Sequence, residues 1–292
     1  MTQATRQQAT APPTGQNPRD SQDFQGSDRT RWRGRRPRRG LVVAALYPAT
    51  FLTLLVVAWF LVTATGLVEP YVIPSPGDTW QAFVDYPDYL WTHTLVTTRE
   101  TLVGFLIAAL VGVLVAVLMV YSATLEKTFY PLILFAQVIP KIAIAPLFVV
   151  WLGFGDGPKI LVAVLMAFFP VVISGISGLR SVDPELLELT STMGASRVRT
   201  FLKVRLPAAL PELLSGLKVA ATLAVTGAVV GEFVGANSGL GYVILQANGN
   251  IDTAMLFAAL IIMSALGVLL FAVIQVAEMF LIPWHASRRN RG

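Results

Sequence analysis

The sequence predicts an all-α membrane protein of about six transmembrane helices, and three observations carry that prediction. Apolar runs of twenty or more residues recur along the chain, the length an α-helix needs to cross the hydrocarbon core of a bilayer. Of its 292 residues, 54% are hydrophobic and 13% charged, where a soluble domain carries about 25% charged residues. The basic residues also crowd onto one alternating set of segments between the runs, the asymmetry that orients helices in a membrane. There is no cysteine, which excludes a disulfide framework, a thiolate metal site and a Cys nucleophile.

In chain order, residues 1–28 are Gln, Thr, Ser, Pro, Asp and Gly with almost no apolar content and are expected to be disordered. The next stretch, 29–40, carries seven Arg. Beside a span it reads as a cytoplasmic juxtamembrane anchor, and no nucleic-acid partner is expected. The first apolar run begins at Leu41 and is already spanning length, so no cleavable signal peptide is expected. Spans are expected over 41–66, 102–121, 129–153, 160–179, 217–234 and 254–283. A short turn at 122–128 separates the second from the third. Span 3 contains Pro131, Pro140 and Pro146, which remove backbone donors and bend a helix. Span 4 should kink at Pro170.

Counting bases orients the chain. With the N-terminus inside, the tail, the 122–128 turn, the 180–218 segment and the C-terminus hold 19 of the 22 Lys and Arg, as nine, one, six and three, while 67–97 and 235–253 hold none. Both termini are therefore expected in the cytoplasm.

Between spans 4 and 5 lies a polar island, Asp183 to Pro211. Asp183 can cap a helix begun by Pro184 and Glu185. Leu186, Leu189 and Met193 recur on one face, and Gly194 stops the helix. Ser196 can cap a second short helix that Pro207 and Pro211 end. Two amphipathic helices joined at a Gly elbow would present a rigid knob to another protein.

The spacing Glu188, five residues, Gly194, nine residues, Val204, one residue, Leu206-Pro207 resembles the "EAA" signature of permease subunits of ATP-binding-cassette (ABC) importers. The two usual alanines are Leu189 and Thr190 here, and the usual Ile is Val204. Further stretches, VIPSPGDTW (Val72–Trp80), IPKIAIAPLFVVWLGFG (Ile139–Gly155) and VVGEFVGANSGLGYVI (Val229–Ile244), are similar to the nitrate, sulfonate, taurine and pyrimidine-precursor branch. The resemblance runs from about Tyr71 to Trp284.

It implies a type I importer permease fold, divided into a tail (1–40), a permease domain (41–285, with a coupling loop at 180–216) and a basic C-terminal tail (286–292). It also implies a bacterial plasma-membrane location, two ATPase subunits that use ATP and Mg, a second permease copy (a homodimer), and an extracytoplasmic substrate-binding protein. Glu188, Met193, Gly194, Ala195, Ser196, Val204, Leu206 and Pro207 would form the ATPase-coupling contact. The substrate would be a small polar or anionic solute, nitrate-, sulfonate- or taurine-like, or a pyrimidine or vitamin precursor.

Pro140, Lys141, Glu232 and Gln246 are the candidate residues of the translocation path. Lys141 reads as the one cation deep in a span, where a charge costs roughly 2.5–3.5 kcal/mol. It would face the path, snorkel to an interface, or pair within the bundle. Glu232 could pair with Lys141, line the exit, or sit at the interface. Gly227, Gly231 and Gly235 repeat every four residues and suit close helix packing, within one subunit or between two. Asn237–Tyr242 reads as a re-entrant or hinge-like turn on the outer side.

No Walker motif occurs, so no ATP site is expected in this chain, and no catalytic constellation is found. Arg99-Glu100 reads as an interfacial anchor. With only His93 and His285, far apart, no metal site is expected. The alternative function is a self-contained secondary transporter or channel, which would need ion-coupling groups inside the spans.

Overall fold

A computed structural model describes residues 39–282. The two basic tails, 1–38 and 283–292, lie outside the described residues, and so does His285. The helices are α1 (Arg39–Ala64), α2 (Pro76–Asp85), α3 (Pro87–Tyr121), α4 (Ala123–Val138), α5 (Lys141–Leu152), α6 (Asp156–Arg180), α7 (Pro184–Thr192), α8 (Arg197–Thr200), α9 (Leu206–Phe233), α10 (Leu240–Gly249) and α11 (Thr253–Leu281), with a π-helical turn, Phe201–Arg205, between α8 and α9. Five segments are long and apolar enough to span: Leu46–Ala64, Pro87–Tyr121, Asp156–Arg180, Arg197–Phe233 and Thr253–Leu281. The pair α4 and α5 passes the same test jointly but bends by 96°, and counting it as one broken span makes six.

The expected spans are present, the third only as the bent pair α4 and α5, with shifted boundaries that have physical causes. The second span begins at Pro87, well before residue 102. Its polar first half stays helical because Thr97, Glu100 and Thr101 turn inward and are buried. No turn occupies 122–128: Ser122 alone breaks the chain, its Oγ accepts from the Leu125 amide at 3.3 Å, and Lys127 lies within α4. Of the three prolines in the third span, Pro140 sits at the break, while Pro131 and Pro146 are inside α4 and α5. The fourth span starts at Asp156 and runs uninterrupted through Pro170.

At the far side of the elbow, Pro207 and Pro211 do not end a helix. The chain winds from α8 through the π turn, where the Leu206 amide donates to Phe201 O, into α9. Pro207 follows directly on the π turn as the second residue of α9; it supplies no backbone donor there, yet the helix continues past it.

Packing centres on α6 and α9, with α3 against both and α11 on α9. The facing surfaces are small or β-branched: Val162, Ala163, Ala167 and Val171 from α6, and Ala220, Ala221, Ala224 and Ala228 from α9, all buried. A Cβ on Gly227 would stand 2.7 Å from Ala163 Cα, and one on Gly231 would stand 2.6 Å from Lys159 Cα. Both glycines therefore serve packing within one subunit. In lipid, where sequestering apolar side chains gains nothing, such backbone approach is the main source of helix attraction. Many large apolar side chains, among them Phe51, Leu110, Phe135 and Phe280, are exposed on the outside of the bundle.

Candidate functional site

The elbow between α6 and α9 is built by local capping. Asp183 Oδ1 accepts from the Glu185 amide at 3.0 Å, and Pro184 opens α7. At the other end the Ala195 amide donates to Thr190 O and the Gly194 amide to Ser191 O, each at 3.0 Å. This is the pair of bonds that closes a helix on a left-handed residue, and Gly194 has φ +70°. Nothing lies within 4 Å of a Cβ placed there, so the backbone conformation alone demands glycine. Ser196 Oγ then caps α8 through the Arg199 amide at 3.4 Å.

Among the proposed coupling residues, Glu188, Met193, Gly194 and Ser196 are exposed, and Ala195, Val204, Leu206 and Pro207 are half-buried. The predicted stripe is bare: Leu186 is 50%, Leu189 55% and Met193 76% exposed. α7 buries none of its residues.

At the opposite end of α6 and α9 lies a buried polar cluster. Glu232 is completely buried, not interfacial. Its Oε1 accepts from Thr97 Oγ1 at 2.6 Å and its Oε2 accepts from the Gly241 amide. Thr97 Oγ1 in turn accepts from the Leu240 amide at 2.7 Å, and His93 Nδ1 accepts from the Gly239 amide at 2.9 Å. Lys159 Nζ donates to Glu100 Oε1 at 2.6 Å, both side chains being buried, and lies 3.7 Å from Asp156.

The Arg99-Glu100 pair therefore divides. Arg99 is exposed and pairs with Asp156 at 3.2 Å, as an anchor should, whereas Glu100 belongs to the interior. Lys159, in the first turn of α6, is buried in the bundle, whereas Lys141 is only half-buried. From the sequence alone Thr97 and Lys159 have no role, Glu100 reads only as an anchor, and His93 has no role beyond excluding a metal. The signal for the α3 residues is the row His93, Thr97, Glu100, Gly104, Ala108, Gly112, Ala116, one face at helical spacing, all of it buried.

The other path candidates are not brought to this cluster. Pro140 caps α5 at the 96° break. Lys141 donates to Gln137 O at 2.9 Å and sits 4.8 Å from the Phe169 ring centroid. It makes no pair with Glu232. Gln246 Oε1 accepts from Tyr89 at 2.7 Å on the exposed side of α10. Among the described residues no group of three His, Cys, Asp or Glu is placed to hold a metal ion.

A helical bundle with apolar outer faces, a bare capped elbow at one end and a buried polar cluster at the other defines a polytopic helical membrane protein. The family model described as "Binding-protein-dependent transport system inner membrane component" matches residues 108–279, and the chain belongs to that family. It is 38% identical over 229 residues to a Haemophilus influenzae protein named "Probable ABC transporter permease protein", covering 78% of this chain and 94% of that one. It is 38% identical over 245 residues to the formylaminopyrimidine transport permease protein ThiX of Halalkalibacterium halodurans, covering 84% and 98%. The riboflavin transport system permease protein RibX of Chloroflexus aurantiacus is 35% identical over 244 residues, covering 82% and 90%. Among solved structures, the inward-facing MetNI methionine ABC transporter superposes with a TM-score of 0.52 at 24% identity, covering 67% of this chain and 94% of that one. That likeness speaks to the fold. The chain is thus a permease component of an ABC importer.

Proposed function

We propose that this permease forms the translocation path for a small polar solute and couples its opening to ATP hydrolysis in a separate partner chain. The elbow at 183–207 is the coupling contact, and it lies in the cytoplasm with both termini. The observation that carries this reading is the bare stripe of Leu186, Leu189 and Met193 on a helix locked at both ends. An apolar patch presented so rigidly, rimmed by the polar Glu185, Glu188, Arg197 and Arg199, suits the groove of a second protein. The charge count supports the same side, since Arg180 to Lys218 is basic and the loops at the other end hold no Lys or Arg.

Two ATPase subunits acting on two permease copies would draw the elbows together and rock the bundles about α6 and α9. The resemblance to permeases named for formylaminopyrimidine and riboflavin favours a heterocyclic vitamin precursor delivered by an external binding protein, with small sulfonates next. Lys141, half-buried at the break in the third span, is the cation available to a polar or anionic solute.

The test is Gly194→Asp. Gly194 is exposed with open space around it, so an aspartate there adds a carboxylate to the docking face, at a φ of +70° that Asp tolerates better than most residues. Uptake should be lost while the protein stays in the membrane at normal abundance; uptake at the parental rate would refute the docking role. Purification of the parental protein should bring down a nucleotide-hydrolysing subunit.

A further inference from the structure

We propose that Gly239, Leu240 and Gly241 form a clasp that keeps the path shut at the α10 end, held by His93, Thr97 and Glu232 and released once per transport cycle. This rests on the alternating path proposed above and assigns the parts that close one end of it.

Three consecutive amides donate to three side chains that come from two other helices: His93 Nδ1 and Thr97 Oγ1 on α3, and Glu232 Oε2 on α9. These are the leading amides of α10, which no carbonyl inside the helix can satisfy. Among the described helices, wherever another start has a side-chain cap it comes from its own chain segment, as Ser75 caps α2 and Asp252 caps α11. Capping α10 from a distance ties its position to α3 and α9.

The fit is close. A Cβ on Gly241 would stand 2.8 Å from both Cβ and Oε2 of Glu232, and one on Gly239 would fall within the Glu232 carboxylate. Leu240 between them is fully buried.

The same geometry makes the clasp releasable. Gly235 at φ +142° and Gly239 at φ +106° bracket the segment with backbone only glycine adopts readily. A cavity of about 200 Å³, lined by Arg99, Glu100, Asp156 and Ser238, lies against it. If the clasp opens, three amides and their three acceptors are stripped of partners, and only water can replace them. Opening is therefore favourable only when this end of the path is wetted, and the Lys159–Glu100 pair holds α3 and α6 together while α10 moves.

The absence of cysteine gives a clean probe. Leu240→Cys is introduced into the complete transporter in membrane vesicles, and its reaction with a membrane-impermeant maleimide is followed with and without ATP and vanadate. Labelling should be slow at rest and rise several-fold when the nucleotide state is trapped. Thr97→Val on the same background removes one hydroxyl and should accelerate resting labelling by about tenfold, the equivalent of one ordinary hydrogen bond. Thr97→Ser should restore the slow rate. Should Leu240→Cys not assemble, Val243→Cys, also buried in the first turn of α10, gives the same readout.

A Thr97→Val rate equal to the parental rate overturns the clasp, and that arm needs no nucleotide. Labelling indifferent to vanadate in a preparation that hydrolyses ATP also overturns it, while leaving the coupling reading intact. Failure to find any ATPase on the elbow would strike that reading instead.

Discussion

Lys159 and Glu100 show how much a single buried contact controls. Each is buried to 5% exposure or less and each finds its main partner in the other. Taking both charges out of water is costly, and the pair offsets that cost only while both members remain. Lys159→Met should therefore destabilise the bundle by about 3–5 kcal/mol, seen as a fall in the thermal midpoint of the detergent-solubilised protein. Glu100→Gln with Lys159→Met should recover much of that loss, because no lone charge is then left inside. A double variant no more stable than Lys159→Met would show the pair to be a bystander. Gly194 is the opposite kind of residue, touching nothing and needed only for its φ of +70°. Gly194→Asn, which tolerates the left-handed region, should keep more uptake than Gly194→Ala.

At the scale of elements, α7 and α3 carry their information differently. The stripe of α7 is legible because Leu186, Leu189 and Met193 recur in a polar neighbourhood, and its bareness agrees with a surface awaiting a partner. Leu189→Glu should weaken co-purification of the ATPase without lowering the thermal midpoint of the permease, since α7 contributes nothing buried to the bundle. A lowered midpoint with normal co-purification would mean that α7 supports the fold instead.

In α3 the row from His93 to Ala116 mixes polar and small residues, so hydropathy alone places the helix start too late, at residue 102. Only packing against α6, α9 and the α10 loop turns His93, Thr97 and Glu100 into interior groups. The third span shows the same limit. Its prolines announce a bend, but only the structure shows that the break falls at Pro140 and reaches 96°.

For the whole molecule, the distribution of basic residues predicts that Thr192→Cys, exposed on α7, reacts with an impermeant reagent only from the cytoplasmic side. Asp85→Cys, exposed on α2, should react only from the other side. Labelling of both from one face would invert the topology and remove the coupling reading with it. The sequence by itself determined the class, the order of the apolar helices and the capped elbow, because length, hydropathy and turn chemistry are local quantities that the chain carries residue by residue. It also displayed Glu232, Lys141 and the glycine run. Only the tertiary structure decided that Glu232 meets Thr97 and the Gly241 amide while Lys141 stays at the α4–α5 break, and that Lys159 closes on Glu100. The Thr97–Glu232 and Glu100–Lys159 pairings join residues 135 and 59 positions apart. Their strength depends on exclusion from water, which no local stretch of sequence specifies.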